Sequence, residues 1–362
     1  SYSIGAGESA EEKTLLALSW LMGEAVAAEE LLALSVLQHA LLQTEAAPLK
    51  KALMDAKIGK DVGASFEDAV LQPYMSIVVN GSEPERAETL LAVTEDTLRR
   101  LVEEGIDKTL LEASINLIEF KMREADFGTY PKGLVYNIKI MNSWLYDEDP
   151  ALYLYYEELF KKMREGLEGR YFEETLEKRL LDNTHRALVI LKPSKTLAGE
   201  RDKALAEELA AKKERLSPEE IERIIALNKR LKERQESPET PEALAKIPLL
   251  SLSDIRTEAE RIPLEERSLA GCKVLFSDIF TNKIAYLNLY FDTQCVPQEK
   301  IPQLFLLSEL IGAMDTKSHT YAEIANLMNL HTGGISYDTF AAARKGEPDS
   351  SMPLFRIRAR AF

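Results

Sequence analysis

The chain has 362 residues, enough for two or three domains that each bury a core, and its 45% hydrophobic and 29% charged content is that of an ordinary globular protein. A formal net charge of -15 argues against nucleic acid as a partner, since phosphate binding needs clustered Lys and Arg, and leaves basic ligands such as basic peptides compatible. Cys272 and Cys295 are the only cysteines, too few for a disulfide framework and pointing to a reducing compartment.

The opening "SYSIGAGESAEEK" has neither the basic nor the apolar region of a signal peptide, and no apolar run approaches the roughly 18 residues of a membrane span. "TLLALSWLMGE" (14 to 24) reads as a buried strand. Helical patterns follow at 28 to 43 and 47 to 57, the second with Pro48 in its first turn. "VGASFEDAV" and "PYMSIVVNGS" are short strands punctuated by Gly63 and Pro73. From Pro84 to about Asp126 the pattern is helical, broken at "EEGIDK", where Gly105 serves as a C-cap and Asp107 as an N-cap. Helices are expected at 132 to 144 and 150 to 182, then an apolar strand "HRALVILKPS" ended by Pro193. Trp20 and Trp144 read as core anchors.

Residues 195 to 236 are half charged, with a thin stripe of Leu205, Leu209, Leu216, Ile221, Ile224, Ile225 and Leu231. Between the halves, "LSPEE" supplies Ser217 as N-cap, Pro218 as first helical residue and Glu220 as the reciprocal partner of a capping box. The expectation is a helical hairpin closed along a narrow seam. A proline-punctuated linker, "SPETPEALAKIPLLSLSDIRTEAERIPLEE", follows.

From about Leu269 the pattern repeats the first part. "NKIAYLNLYFD" matches "KTLLALSWLMG", and the helix "PQEKIPQLFLLSELIGAM" matches "AEELLALSVLQHALL". "TYAEIANLMNLH", "TGGISYDTFAAA" and "MPLFRIRARAF" fall where a helix and two strands stood, at an offset near 270 to 280 residues. A duplicated domain is expected. The last stretch alternates Leu354, Arg356, Arg358 and Arg360 against Phe355, Ile357, Ala359 and Ala361, a half-buried strand running off the end, which suggests a piece of a longer protein.

Chemistry is sparse. A zincin needs HExxH or HxxEH, and the four histidines, His39, His185, His319 and His331, include no pair at three or four residues' spacing. His319 and Glu323 share a helix face, with His331 eight residues further on, but no base adjoins them; they read as helix-start residues and a satisfied helix-end histidine. Cys272 and Cys295 read as buried or half-buried structural thiols. No GxSxG, P-loop or dinucleotide motif is present. Paired acids such as Glu29 and Glu30, or Glu219 and Glu220, belong to helix first turns. No catalytic, cofactor-binding or metal-ligating residue is assigned.

"LLALSVLQHALLQTEAAPLKKAL", "QPYMSIVVNGS", "MNSWLYDEDPALYL", the helices around "LSPEEIERI" and "MNLHTGGIS" together give a chain that resembles the presequence protease and falcilysin-like branch of the insulinase (pitrilysin-type) metallopeptidases. The resemblance implies an α+β fold of insulinase-type (LuxS/metallohydrolase-like) domains, antiparallel sheets with packed helices, linked by a long helical hairpin. It implies residues 1-194 as the second, non-catalytic domain, 195-268 as the peptidasome-associated hinge and linker, and 269-362 as the beginning of a third domain. The function implied is that of chamber wall and hinge of a zinc-dependent oligopeptidase degrading unstructured peptides, the alternative being a zinc-free structural or assembly protein of the same fold. No cofactor is expected in this segment; zinc is expected in an N-terminal domain of the parent protein, held by an HxxEH motif that this sequence lacks. Expected partners are peptide substrates and the remaining domains of the same chain, with neither nucleic acid nor membrane. The expected location is the bacterial cytoplasm, or an organelle in a eukaryote.

Overall fold

The computed structural model describes residues 1–44, 47–255, 257, 258, 261–344 and 346–362. Parts of the expected linker (256, 259 and 260), and residues 45 and 46 between the first two expected helices, lie outside the described residues. The chain forms two compact units. One comprises Ser1–Tyr2, Gly7–Pro193 and Thr281–Phe362, the other Ser3–Ala6 and Ser194–Phe280.

In the first unit a short strand, β1 (Tyr2–Ser3), precedes β2 (Thr14–Leu21), with the Tyr2 N–H donating to Lys192 O at 3.0 Å. The residues of β2 alternate between buried and half-buried, as the two-residue period of a strand requires when one face meets a core. After β2 come α1 (Ala28–Gln38), a π-helical turn (His39–Gln43) and α2 (Pro48–Asp55). Strands β3 (Asp61–Glu67) and β4 (Tyr74–Ser82) follow, then α3 (Ala87–Glu104) and α4 (Lys108–Glu124). The break between these helices is where the sequence places it: Gly105 takes φ 92°, open to a residue without Cβ, and Asp107 accepts the Thr109 N–H at 2.9 Å. Helices α5 (Lys132–Trp144), α6 (Glu157–Gly166) and α7 (Tyr171–Leu176) lead to β5 (Arg186–Leu191).

The sheet runs β3-β4-β2-β5 and is antiparallel throughout. Leu16, Leu18 and Trp20 of β2 meet Ile77 and Val79 of β4 and the helical residues Leu34, Leu37, Leu98, Ile115, Phe160 and Phe172 in one core. Burying each such side chain contributes about 1.5–3 kcal/mol.

The helical stretch expected over 150 to 182 comprises two helices and a π-helical turn (Glu177–Leu181), beginning only at Glu157. Asp149 keeps the preceding stretch in turns by accepting the Ala151 N–H. Trp144 is not a core anchor. It is 60% exposed, because α5 buries only Ser143 and leaves Leu134, Tyr136, Ile138 and Met141 exposed as well.

In the second unit the Ile4 N–H donates to Ser194 O beside β6 (Pro193–Ser194), followed by α8 (Leu197–Arg215), α9 (Pro218–Glu236) and α10 (Pro241–Leu244). The capping box forms: Ser217 N–H donates to Glu220 Oε2 at 2.8 Å and Glu220 N–H to Ser217 Oγ at 3.2 Å. The expected seam does not close. Neither helix buries a residue, and Leu205, Leu209 and Ile225 are 54%, 54% and 62% exposed. The stripe is too thin, and the Leu216–Ser217 connection too extended, to lay one helix along the other.

Strands β7 (Glu265–Leu269) and β8 (Cys272–Phe276) form a hairpin through Ala270 (φ 51°) and Gly271 (φ 79°), both left-handed as a two-residue turn demands. Nothing among the described residues covers this ribbon, so Cys272 is exposed. Cys295, in a loop after Asp292, is exposed too. Both thiols therefore depart from the buried or half-buried expectation.

The remainder of the first unit carries β9 (Ala285–Asp292), α11 (Ile301–Leu310), α12 (Tyr321–His331), β10 (Ile335–Arg344) and β11 (Glu347–Ala361). Each starts about 270 residues after β2, α1, α2, β3 and β4 respectively. Its sheet runs β10-β11-β9, antiparallel, the same order as β3-β4-β2. The difference is at β9, which is an edge with every residue exposed, whereas β2 is flanked on both sides.

Candidate functional site

The sequence singles out His319, Glu323 and His331, and the structure places them along α12. Thr320 is the N-cap: its Oγ1 accepts the Glu323 N–H at 3.3 Å, and Glu323 Oε2 accepts the Thr320 N–H at 2.8 Å. Glu323 is thus the N3 partner of a capping box, and these hydrogen bonds hold its carboxyl below the usual range. His319 Nδ1 lies 4.0 Å from Glu323 Oε2, both side chains more than half exposed. His331 is exposed in the last turn, roughly 12 Å beyond Glu323 along the axis at 1.5 Å per residue. Zinc does not fit this set: it needs three or four ligands at about 2 Å, and here the carboxylate is committed to the cap and the histidines stand at opposite helix ends. Among the described residues no group of three or more His, Cys, Asp or Glu could hold a metal ion.

The residues just after His331 do converge on something. The Gly333 N–H donates to Arg360 O at 2.7 Å, Gly334 sits at φ 120°, and Gly333 presses on the Phe120 ring so closely that a methyl group there would overlap it. Phe120, fully buried in α4, packs against the Phe362 ring with centroids 5.4 Å apart and the planes tilted by 51°. Around it, Asn116 Nδ2 donates to Leu330 O at 2.9 Å and Asn282 Nδ2 to Arg123 O at 2.7 Å. Arg360 Nη1 reaches both oxygens of Glu124 at 3.0 and 2.9 Å. The "TGG" turn is therefore a docking element, seating the second set of strands on α4. Sequence reading marked the turn but not its partner, because Phe120 lies more than two hundred residues away and has no local signature.

Buried acids nearby are structural. Glu119, 7% exposed, accepts Arg123 Nε at 2.8 Å and a bond from Arg164, whose Nη1 also reaches Asn116 Oδ1 at 2.9 Å. Glu30, one of the paired first-turn acids, is gripped by Arg179 Nε and Nη2 at 2.7 and 2.5 Å. Burial raises its pKa, but the guanidinium and Lys178 outweigh that and hold it below the usual range. These are charge-assisted hydrogen bonds that fix helices.

Residues 7–118 match the Peptidase M16 inactive domain, and residues 191–362 match the associated region of Peptidase M16 subfamily C. Antiparallel sheets backed by helices, two long charged helices and these matches define the class: the chain belongs to the insulinase-type (M16, pitrilysin-type) metallopeptidases, in a region described as inactive. Across its 362 residues it is 40% identical to protein HypA of Clostridium perfringens, covering 100% of this chain and 37% of that protein. It is 33% identical over 354 residues to presequence protease 1, chloroplastic/mitochondrial, of Arabidopsis thaliana, covering 96% and 33%. The chain thus spans about a third of the length of these relatives. Among solved structures it is similar to an inactive peptidase domain from Bordetella parapertussis, at 15% identity and a TM-score of 0.41, over 50% of this chain and 93% of that one. No helix among the described residues is long and apolar enough to cross a membrane.

Proposed function

We propose that this chain is the non-catalytic wall and hinge of a zinc-dependent oligopeptidase that degrades unstructured peptides. Residues 1-194 form the inactive domain, 195-268 the hinge and linker, and 269-362 the beginning of the next domain. The observation that carries the reading is the succession of an inactive M16 domain and a subfamily C associated region in a chain related to presequence proteases over 96% and 92% of its length. The zinc and its HxxEH ligands belong to a different part of the parent protein, and the partners are peptides and the remaining domains. The location is a bacterial cytoplasm, or an organelle if the source is eukaryotic. Incubating the purified 362-residue chain with a quenched fluorescent peptide tests this. No hydrolysis is expected, with or without added zinc. Cleavage that a chelator and His319→Ala both abolish would overturn it. An upstream reading frame without HxxEH would replace it by the zinc-free assembly protein.

A further inference from the structure

A recessed cavity of about 380 Å³ opens in the helical layer of the first unit, lined by α1, α4, α5, α6 and the connection between β3 and β4. Its walls are apolar: Leu31 and Leu32 from α1, Ile118 and Met122 from α4, Leu159 from α6. Asp68, Lys139 and Asn142 line it beside Tyr153, Tyr156 and Ser35, whose hydroxyl is spent on Leu31 O. Tyr153 fixes one wall by donating its hydroxyl to Ala25 O. On the α5 side Val135 and the exposed Ile138 add apolar lining.

Lys139 and Asn142 are available, while the Asp68 carboxyl already accepts one backbone N–H. No hydrogen bond or ion pair engages the side chains of Lys139 or Asn142 among the described residues; Lys139 only overlies the Phe127 ring at 5.9 Å. Burial pushes the Asp68 carboxyl above its usual range, offset in part by a backbone N–H and, more weakly, by the Lys139 charge; burial pushes the Lys139 ammonium below its own range, offset in part by Asp68. An acid and a lysine of opposite sign cancel for any ligand that carries net charge. With a carboxamide between them they offer an acceptor, a donor and a group that is both. That set matches a neutral peptide amide, and the apolar walls match the side chain it carries. The size is in the range of small-ligand pockets.

We propose that this cavity is a binding site for one bulky apolar side chain of an extended peptide, with the flanking backbone amides held by Asp68, Lys139 and Asn142. The proposal rests on the functional reading above only in taking a peptide as the ligand. It is tested by binding without cleavage, so its failure is separate from that of the hydrolysis assay.

The experiment is isothermal titration of the 362-residue chain with N-acetyl-glycyl-phenylalanyl-glycinamide and, as control, N-acetyl-triglycinamide. The phenylalanyl peptide is expected to bind one site per chain, at least tenfold more tightly than the control. Ile138→Trp, an exposed position of the lining, is expected to weaken binding at least tenfold with an unchanged melting temperature. Asp68→Asn is expected to weaken it several-fold with the walls intact. Equal affinity for the two peptides, or wild-type binding by either variant, overturns the proposal. So does a concentration-dependent dimer that Ile138→Trp dissolves while no peptide binds, which would assign the face to a second copy of the chain.

Discussion

His39 is nearly fully buried in the π-helical turn after α1, with its Nδ1 2.9 Å from Ser114 Oγ. Ser114 spends its own proton on Leu110 O, so the ring donates through Nδ1–H. Burial, aided by Lys121, lowers its pKa from the usual 6.5 to about 4. The unfolded chain therefore takes up this proton first, and stability falls as pH drops from 6.5 towards 4 and then levels off. A gap of that size corresponds to about 3 kcal/mol. Urea unfolding followed by Trp20 fluorescence in a Trp144→Phe background should show this loss between about pH 7 and pH 4, and His39→Gln should flatten it. The same residue scale is where the sequence was least legible. Cys272, Cys295 and Trp144 have the chemistry of buried residues, yet exposure depends on whether another element arrives to cover them, and composition carries no record of that.

At the scale of elements, local physics was legible wherever a cap or a period decides the outcome. The Ser217–Glu220 box, the Gly105–Asp107 break and the span of α5 are read directly from side-chain type and spacing. Ser217→Ala should cost α9 about 1 kcal/mol, seen as faster amide exchange in its first turn with β2 and β4 unaffected. The hairpin seam was not legible, because whether two helices close on each other depends on the conformation of Leu216 as much as on their stripes. The docking of α12 on α4 hinges on Gly333. Gly333→Ala forces a methyl into the Phe120 ring, and overpacking of this kind costs about 1–3 kcal/mol. Hydrogen exchange should rise about tenfold or more in α12 and β10 while β2 keeps its protection.

For the molecule as a whole, the order of elements was the most legible feature. Five elements recur in one succession, and both sheets share one strand order, because each apolar pattern specifies its element and the turns specify neighbours. What the pattern omitted is coverage: β9 and α11 leave Leu287, Phe291, Phe305 and Leu306 half or more exposed. Exposed apolar surface of this kind favours association, and the net charge of -15 opposes it at neutral pH. Near the sequence pI of about 5.0 that repulsion vanishes. Light scattering should therefore show reversible self-association as pH is lowered towards about 5, and added salt near neutral pH should reproduce part of it by screening.

The arginines of β11 act as a parity check on its alignment. Arg356 forks onto Asp338 at 3.0 and 2.6 Å, while Arg360 Nη1 bridges both oxygens of Glu124, an acid whose side chain is only 11% exposed. A slip of one residue would turn every guanidinium to the opposite face and present Phe355, Ile357 and Ala359 to the two acids. A slip of two in one direction brings Leu354 to Asp338, and in the other brings Phe362 to Glu124. Each misaligned state leaves a carboxylate without its guanidinium, so the strand rejects near-miss pairings that its apolar residues alone would accept.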